Sequence, residues 1–254
     1  MLATARRDRL SSERDFHDRQ AQARAVALRP HDLLFTDESY LDHACWIRPA
    51  FERLGEVRGQ RVLDLGCGHG MASVVLARRG ADVTACDLSR GYLHEARARA
   101  GVNGVVIRWV QANCERLPFA DEAFDRVWGS AILHHLDLAS FGPELSRVLR
   151  PGGRAVFCEP WGENRWLRWA RNHLPYPGKE RTADEEPLGN WHLALLRSYF
   201  PRLEVSGHQL LAMASRVLGA GRVTRGLHGC DSLLLRRWPH LQRYCRYVVL
   251  TLRK

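Results

Sequence analysis

The residues of this 254-residue chain with the types and spacing to do chemistry begin at Asp64-Leu65-Gly66-Cys67-Gly68-His69-Gly70. An acid is followed there by three glycines at alternate positions. Glycines let the backbone approach a ligand closely, because no Cβ intervenes and positive φ is permitted. A helix following such a loop presents free N–H groups and a positive dipole end to an anionic group. A dinucleotide is the rival occupant, but the spacing lacks the third glycine of the GxGxxG fingerprint. Asp64 would also face a pyrophosphate with like charge, whereas a ligand with a cationic amine removes the conflict. Further on stand His134-His135 and Glu159. Histidine is the natural base near neutral pH, and a positioned base adds roughly 10²–10⁴-fold in rate. Each of the two rings has an equally simple structural use, in packing or in capping a helix that starts near Asp137. Glu159 either orients a substrate hydroxyl or amine, or anchors a loop. Seven cysteines, Cys45, Cys67, Cys86, Cys114, Cys158, Cys230 and Cys245, are odd in number and contain no CxxC pair. They point to neither a disulfide framework nor a metal site.

The glycine loop needs a strand before it and a helix after it. Arg61–Cys67 is apolar and ends in glycines, as buried parallel strands do. Met71–Arg79 reads as a helix closed by Gly80, Asp82–Cys86 as a strand ending at Asp87, and Ser89 as the N-cap of a helix through Ala100. Val105–Val110 and Phe124–Gly129 are the next strands. Leu138–Leu149 is a helix stopped by Pro151-Gly152-Gly153, and Arg154–Cys158 a fifth strand. This alternation predicts an α/β, doubly wound, mostly parallel sheet. Before it, Ser12–Leu28 and Ser39–Leu54 read as helices, the first ended by Pro30. After it, Trp166, Trp169 and His173 share helical spacing, and Thr182 with Glu185 fits a capping box. Residues 191–200 form a helix, Leu203–Ser206 a short strand, and Asp231 the cap of a helix ending near Pro239. Tyr247–Leu252 is the final strand. The stretch from Trp161 to Leu188 is expected to cover the cleft as a lid, with Phe16, His17, Tyr40 and His43 as second candidates for lid or substrate contacts.

Hydrophobic residues make up 45% and charged residues 26% of the chain, ordinary globular usage. No apolar run approaches the roughly 18 residues of a membrane span, and Met1 to Asp15 has no apolar signal-like core. A soluble, cytoplasmic protein is expected. The net charge of +10 raises nucleic acid as a partner. Against it, Lys179 and Lys254 are the only lysines, so arginine supplies 36 of the 38 basic residues, spread along the chain.

Val62-Leu63-Asp64-Leu65-Gly66-Cys67-Gly68-His69-Gly70 resembles the first motif of class I, S-adenosylmethionine-dependent methyltransferases, especially the menaquinone/ubiquinone C-methyltransferase-like group with its type 11 domain. Leu117-Pro118-Phe119-Ala120-Asp121-Glu122-Ala123-Phe124-Asp125 and Leu149-Arg150-Pro151-Gly152-Gly153-Arg154 resemble two further motifs, in order and at normal spacing. The resemblance implies a Rossmann-like seven-stranded sheet with an antiparallel last strand, N-terminal helices and a helical lid insertion. It divides the chain into an N-terminal helical cap (1–57), a cofactor-binding core (58–160), a lid or substrate insertion (161–202) and C-terminal strands and helices of the same domain (203–254).

By the same resemblance, Gly66, Cys67, Gly68 and Gly70 lie along the methionine part of the cofactor, with Asp64 near its amine. Asp87 would hold the ribose and Leu88 pack on adenine. Asn113 and Cys114 take the adenine-recognition position, with Asn113 where the family usually has Asp. Ser130 and Ala131 border the methyl group, near His134, His135 and Glu159. The implied activity is methyl transfer to O, N or C of a small-molecule acceptor, leaving S-adenosylhomocysteine. The alternatives are an RNA or protein methyltransferase and a binding protein that has lost catalysis. Gly129-Ser130-Ala131-Ile132 lacks the Asn/Asp-Pro-Pro-aromatic tetrad of amino-group base methylation, and intact Asp64, Gly66, Gly68 and Asp87 argue against lost catalysis.

Overall fold

Val62, Leu63 and Leu65 are fully buried on both faces of β1 (Arg61–Leu65), which makes this strand the centre of the sheet. A computed structural model describes the architecture over residues 2–173, 186–214 and 222–254. β2 (Asp82–Asp87) and β4 (Phe124–Ser130) pair with β1 in parallel, Leu63 lying opposite Thr84 on one side and Val127 on the other. β3 (Arg108–Gln111) extends one edge, and β5 (Leu149–Pro160) follows β4. β7 (Tyr247–Arg253) joins antiparallel to both β5 and β6 (Arg202–His208). The order β3-β2-β1-β4-β5-β7-β6 is the expected seven-stranded, Rossmann-like sheet with an antiparallel last strand. Strand order reverses between β1 and β4, so their carboxyl ends bound the crevice where open α/β sheets take ligands.

One face of the sheet carries α7 (Leu138–Val148) and α9 (Asn190–Tyr199) over a core that includes Phe141, Phe157 and Leu196. The other carries α4 (Ile47–Leu54), α5 (Met71–Arg78) and α6 (Arg90–Val102) over Phe51, Val75 and Trp128. Three further helices precede α4: α1 (Leu2–Ala27), α2 (Pro30–Leu33) and α3 (Asp37–Leu41). α8 (Arg165–His173) follows β5, and α10 (Arg222–Arg237) lies between β6 and β7.

Several expected boundaries move, for local reasons. The helix expected over Ser39–Leu54 is split into α3 and α4. Pro49 has no N–H to give to a preceding turn and is accommodated best in the first turn of a helix, and α4 restarts at Ile47, two residues before it. The third strand begins at Arg108, not Val105, because the Val105 N–H still bonds Ala100 O at the end of α6. Pro30 opens α2 rather than simply ending α1. Asp231 does not cap the helix that ends near Pro239. It stands inside α10, buried, and accepts the N–H groups of Leu210, Leu211 and Ala212. Thr182 and Glu185 lie outside the described residues.

Candidate active site

A cavity of about 330 Å³ opens at the carboxyl ends of β1, β2 and β4. Gly66 and Gly68 line it from the loop after β1, Asp87 and Leu88 from the end of β2, Asn113 and Cys114 after β3, and Ser130 and Ala131 after β4. The doubly wound topology thus brings together eight cofactor-contact candidates from four separate stretches of chain. Asp87 is the best-fixed acid among them. Its Oδ2 accepts the Gly68 N–H and its Oδ1 the Ser89 N–H, each at 2.8 Å. Burial raises its pKa, and the two backbone bonds oppose the rise. Each oxygen keeps a lone pair for a hydroxyl in the cavity. Gly68 has φ +50, and a Cβ placed there would meet no atom within 4 Å. The loop therefore leaves open space for a ligand where any other residue would put a side chain. Asn113 Oδ1 accepts the Glu115 N–H at 2.9 Å and has one lone pair left.

Three of the candidates do not line this cavity. Asp64 is buried, and its carboxylate accepts the Ser73 hydroxyl at the start of α5. Burial lifts its pKa to about 7, and the nearby Asp87 charge adds to the rise. Cys67 turns into the core beneath α4 and α5, where burial keeps it a thiol. Gly70 is the left-handed residue that starts α5.

The two neighbouring histidines have different surroundings. His134 Nδ1 lies 2.7 Å from Glu159 Oε2, and both side chains are almost wholly buried. Glu159 Oε1 accepts the N–H groups of Ile132 and Leu133, both at 2.9 Å. One carboxylate at the end of β5 thus pins the loop after β4. That loop begins with Ala131 at φ 55, a left-handed conformation costly for alanine and held by its surroundings. His135 instead lines the cavity, with Nδ1 3.5 Å from Glu13 Oε1 and the His17 ring 5.5 Å away. Of the three catalytic candidates, only His135 is on the cavity wall.

The far wall comes from α1, through Leu10, Glu13 and His17. His17 is one of the residues expected at the lid, whereas Leu10 and Glu13 are not among them. Their signal is spacing: residues 10, 13, 17 and 21 fall on one helical face, and Glu13 and Ala21 are buried. α1 is fastened by polar contacts. Asp18 Oδ1 accepts the Ser89 hydroxyl at 2.5 Å and the Gly91 N–H at 3.2 Å, and Arg24 pairs with Glu95. Gly91 lets the helices touch, because a Cβ there would lie 2.6 Å from that of Ala21. Arg9 bonds both Glu115 and the His135 carbonyl. His69, Tyr92, Ile132 and Leu136 complete the lining. Burial, helped by Arg99 and Arg24, lowers the pKa of His69 to about 4, so it is neutral near pH 7. Tyr40 and His43 are not on this wall; Tyr40 packs on Phe51. No group of three His, Cys, Asp or Glu side chains among the described residues could hold a metal ion, and no described helix is long and apolar enough to cross a membrane.

The switch-point cavity, its glycine loop and the carboxylate at the end of β2 belong to a Rossmann-like α/β domain. Residues 63–157 match the family described as a methyltransferase domain. Among curated relatives, demethylmenaquinone methyltransferase of Beutenbergia cavernae is 38% identical over 158 residues, which is 60% of this chain and 64% of that protein. The chain thus spans under two thirds of that relative's length. Among solved structures, geranyl diphosphate C-methyltransferase from Streptomyces coelicolor superposes with a TM-score of 0.57 at 19% identity, over 81% of this chain and 77% of the other. The [4+2]-cyclase SpnF gives a TM-score of 0.56 at 22% identity, over 82% and 79%. These two likenesses establish the shared fold.

Proposed function

We propose that this protein is an S-adenosylmethionine-dependent methyltransferase acting on O, N or C of a small-molecule acceptor. The observation that carries the proposal is Asp87, fixed by the Gly68 and Ser89 N–H groups at the edge of a cavity that the glycine loop leaves open. The residues fit the cofactor. Asp87 offers two acceptor oxygens to the ribose, Leu88 an apolar face to adenine, and Asn113 a free lone pair to an exocyclic amine. Gly66, Gly68, Ser130 and Ala131 would lie along the methionine end. Asp64 acts there through its field from beneath the loop, since it does not line the cavity.

Bound S-adenosylmethionine supplies an activated methyl group, which leaves alignment and proton removal to the protein. Holding reactants in attack geometry is worth roughly 7–11 kcal/mol. His135 is the candidate base, because its ring lies on the cavity wall with Glu13 near Nδ1. His134 and Glu159 position the loop that carries it. Calorimetric titration tests the cofactor assignment: the wild type binds S-adenosylmethionine at micromolar Kd and does not bind NADH, and Asp87→Ala weakens the cofactor at least tenfold. Failure of the folded wild type to bind S-adenosylmethionine would overturn the proposal.

A further inference from the structure

A second and larger cavity, about 870 Å³, lies off the end of β5. Its walls come from α8, from the turn at Asn190 and from Arg243 and Tyr244 just before β7. β5 runs parallel to β4, with Cys158 opposite Ser130, and the start of β7 pairs with the end of β5. The cavity therefore opens at the same edge of the sheet as the cofactor-binding candidate, one strand further along. Its volume is within the range of small-molecule sites, about 300–1,000 Å³.

The lining has an unusual composition. Arg165, Arg168 and Arg243 bring three guanidinium groups, and none has a carboxylate partner among the described residues. Glu163 is the single acid on the wall, and its Oε1 already accepts the Asn190 N–H at 2.8 Å. Between the arginines stand Trp166 and Trp169, 78% and 54% exposed. Indoles left that open on a helix forgo burial worth about 1.5–3 kcal/mol for a large apolar side chain. Arg243 itself lies over the Tyr244 ring. Guanidinium groups pair with carboxylate or phosphate through two parallel hydrogen bonds, while indole faces take flat or apolar groups. A neutral ligand would leave the arginines unanswered, and a small inorganic anion would leave the indoles bare.

We infer that this cavity binds an amphiphilic anion, with an aromatic or other apolar body and a carboxylate, phosphate or comparable acid group. The indoles hold the body and the arginines the acid. It stands on the lining of this cavity alone, and the test reads it separately from the cofactor assignment above. The probes are 8-anilinonaphthalene-1-sulfonate and its uncharged counterpart N-phenyl-1-naphthylamine, titrated by fluorescence into the folded full chain, with thermal melts and S-adenosylmethionine titrations run on every variant. The wild type binds the sulfonate at one equivalent and more tightly than the neutral probe. An Arg165→Ala, Arg168→Ala, Arg243→Ala triple variant loses at least tenfold affinity for the sulfonate and under threefold for the neutral probe. Trp166→Ala with Trp169→Ala weakens both probes. Cofactor affinity is unchanged in all variants, since none touches the first cavity. Equal sulfonate binding by wild type and the triple-arginine variant, or no preference for the sulfonate in the wild type, overturns the inference while leaving the cofactor assignment standing. Loss of S-adenosylmethionine binding in the wild type overturns the assignment itself.

Discussion

Replacing Asp64 with Asn should stabilise the protein at alkaline pH, although the residue belongs to the signature loop. The carboxyl group is buried on Ser73, and burial moves its pKa from the ordinary 3.8 to about 7. In the unfolded chain it ionises near pH 4. Between these values the folded state binds the extra proton, so stability falls as pH rises through that window. Its contribution is fully present below about pH 4 and lost above about pH 7. Converted at 1.36 kcal/mol per decade, the loss is about 4 kcal/mol, more than half of it between pH 5 and 8.5. Asn has the same shape, accepts the Ser73 hydroxyl and carries no charge to desolvate. Urea unfolding of wild type and Asp64→Asn at pH 5 and pH 8.5 reads this group together with its coupling to Asp87, because acids remote from both titrate alike in the two proteins. The variant should gain on the wild type by about 2–3 kcal/mol between the two pH values. A stability difference that is the same at both, within about 0.5 kcal/mol, would refute the reasoning and return Asp64 to an ordinary carboxylate. The functional cost should appear in calorimetry. Loss of the charge beneath the loop weakens binding of a cationic ligand most above pH 7, where the wild-type carboxylate is ionised.

Glu159→Ala strips the acceptor from the buried Leu133 N–H and from the part-buried Ile132 N–H and His134 ring, and should cost about 3 kcal/mol or more in denaturant unfolding. Glu159→Gln keeps one acceptor oxygen and should cost clearly less, and a loss below about 1 kcal/mol for the alanine variant would show that the loop after β4 is held by other contacts. Gly68→Ala meets no protein atom, so only the positive φ penalises it, at about 1 kcal/mol of stability. Its methyl group enters the space assigned to the cofactor, so S-adenosylmethionine affinity should drop at least tenfold. A fall in affinity no larger than the stability change predicts would place the ligand elsewhere.

The floor of the cavity was legible because each part of it is a local event with its own chemical signature. A buried strand must end, a glycine must follow where backbone and ligand approach, and the acid at the end of β2 is held by neighbouring N–H groups. β1, β2, β4 and the antiparallel β7 fall within a residue or two of their expected bounds for the same reason. The roles within the site were less legible. His134 and His135 are adjacent, yet one points to Glu159 and the other to the cavity, and nothing in a dipeptide tells which. The short left-handed step at Ala131 and the three-residue 3₁₀ turn that follows decide it. Asp64 matched its motif in type and position, but the Ser73 hydroxyl, nine residues on, takes its carboxylate out of the cavity. α1 was the hardest to read. It meets α6 through Asp18, Arg24, Ala21 and Gly91 rather than through a continuous apolar stripe, so a hydrophobic period barely marks the docked face. A polar, small-residue contact of this kind specifies where the helix lies by pairing particular groups, and it leaves Leu10, Glu13 and His17 free to face a ligand instead of a core. The roof is therefore legible only once α6 is in place, because Ser89, Gly91 and Glu95 are what its residues answer to.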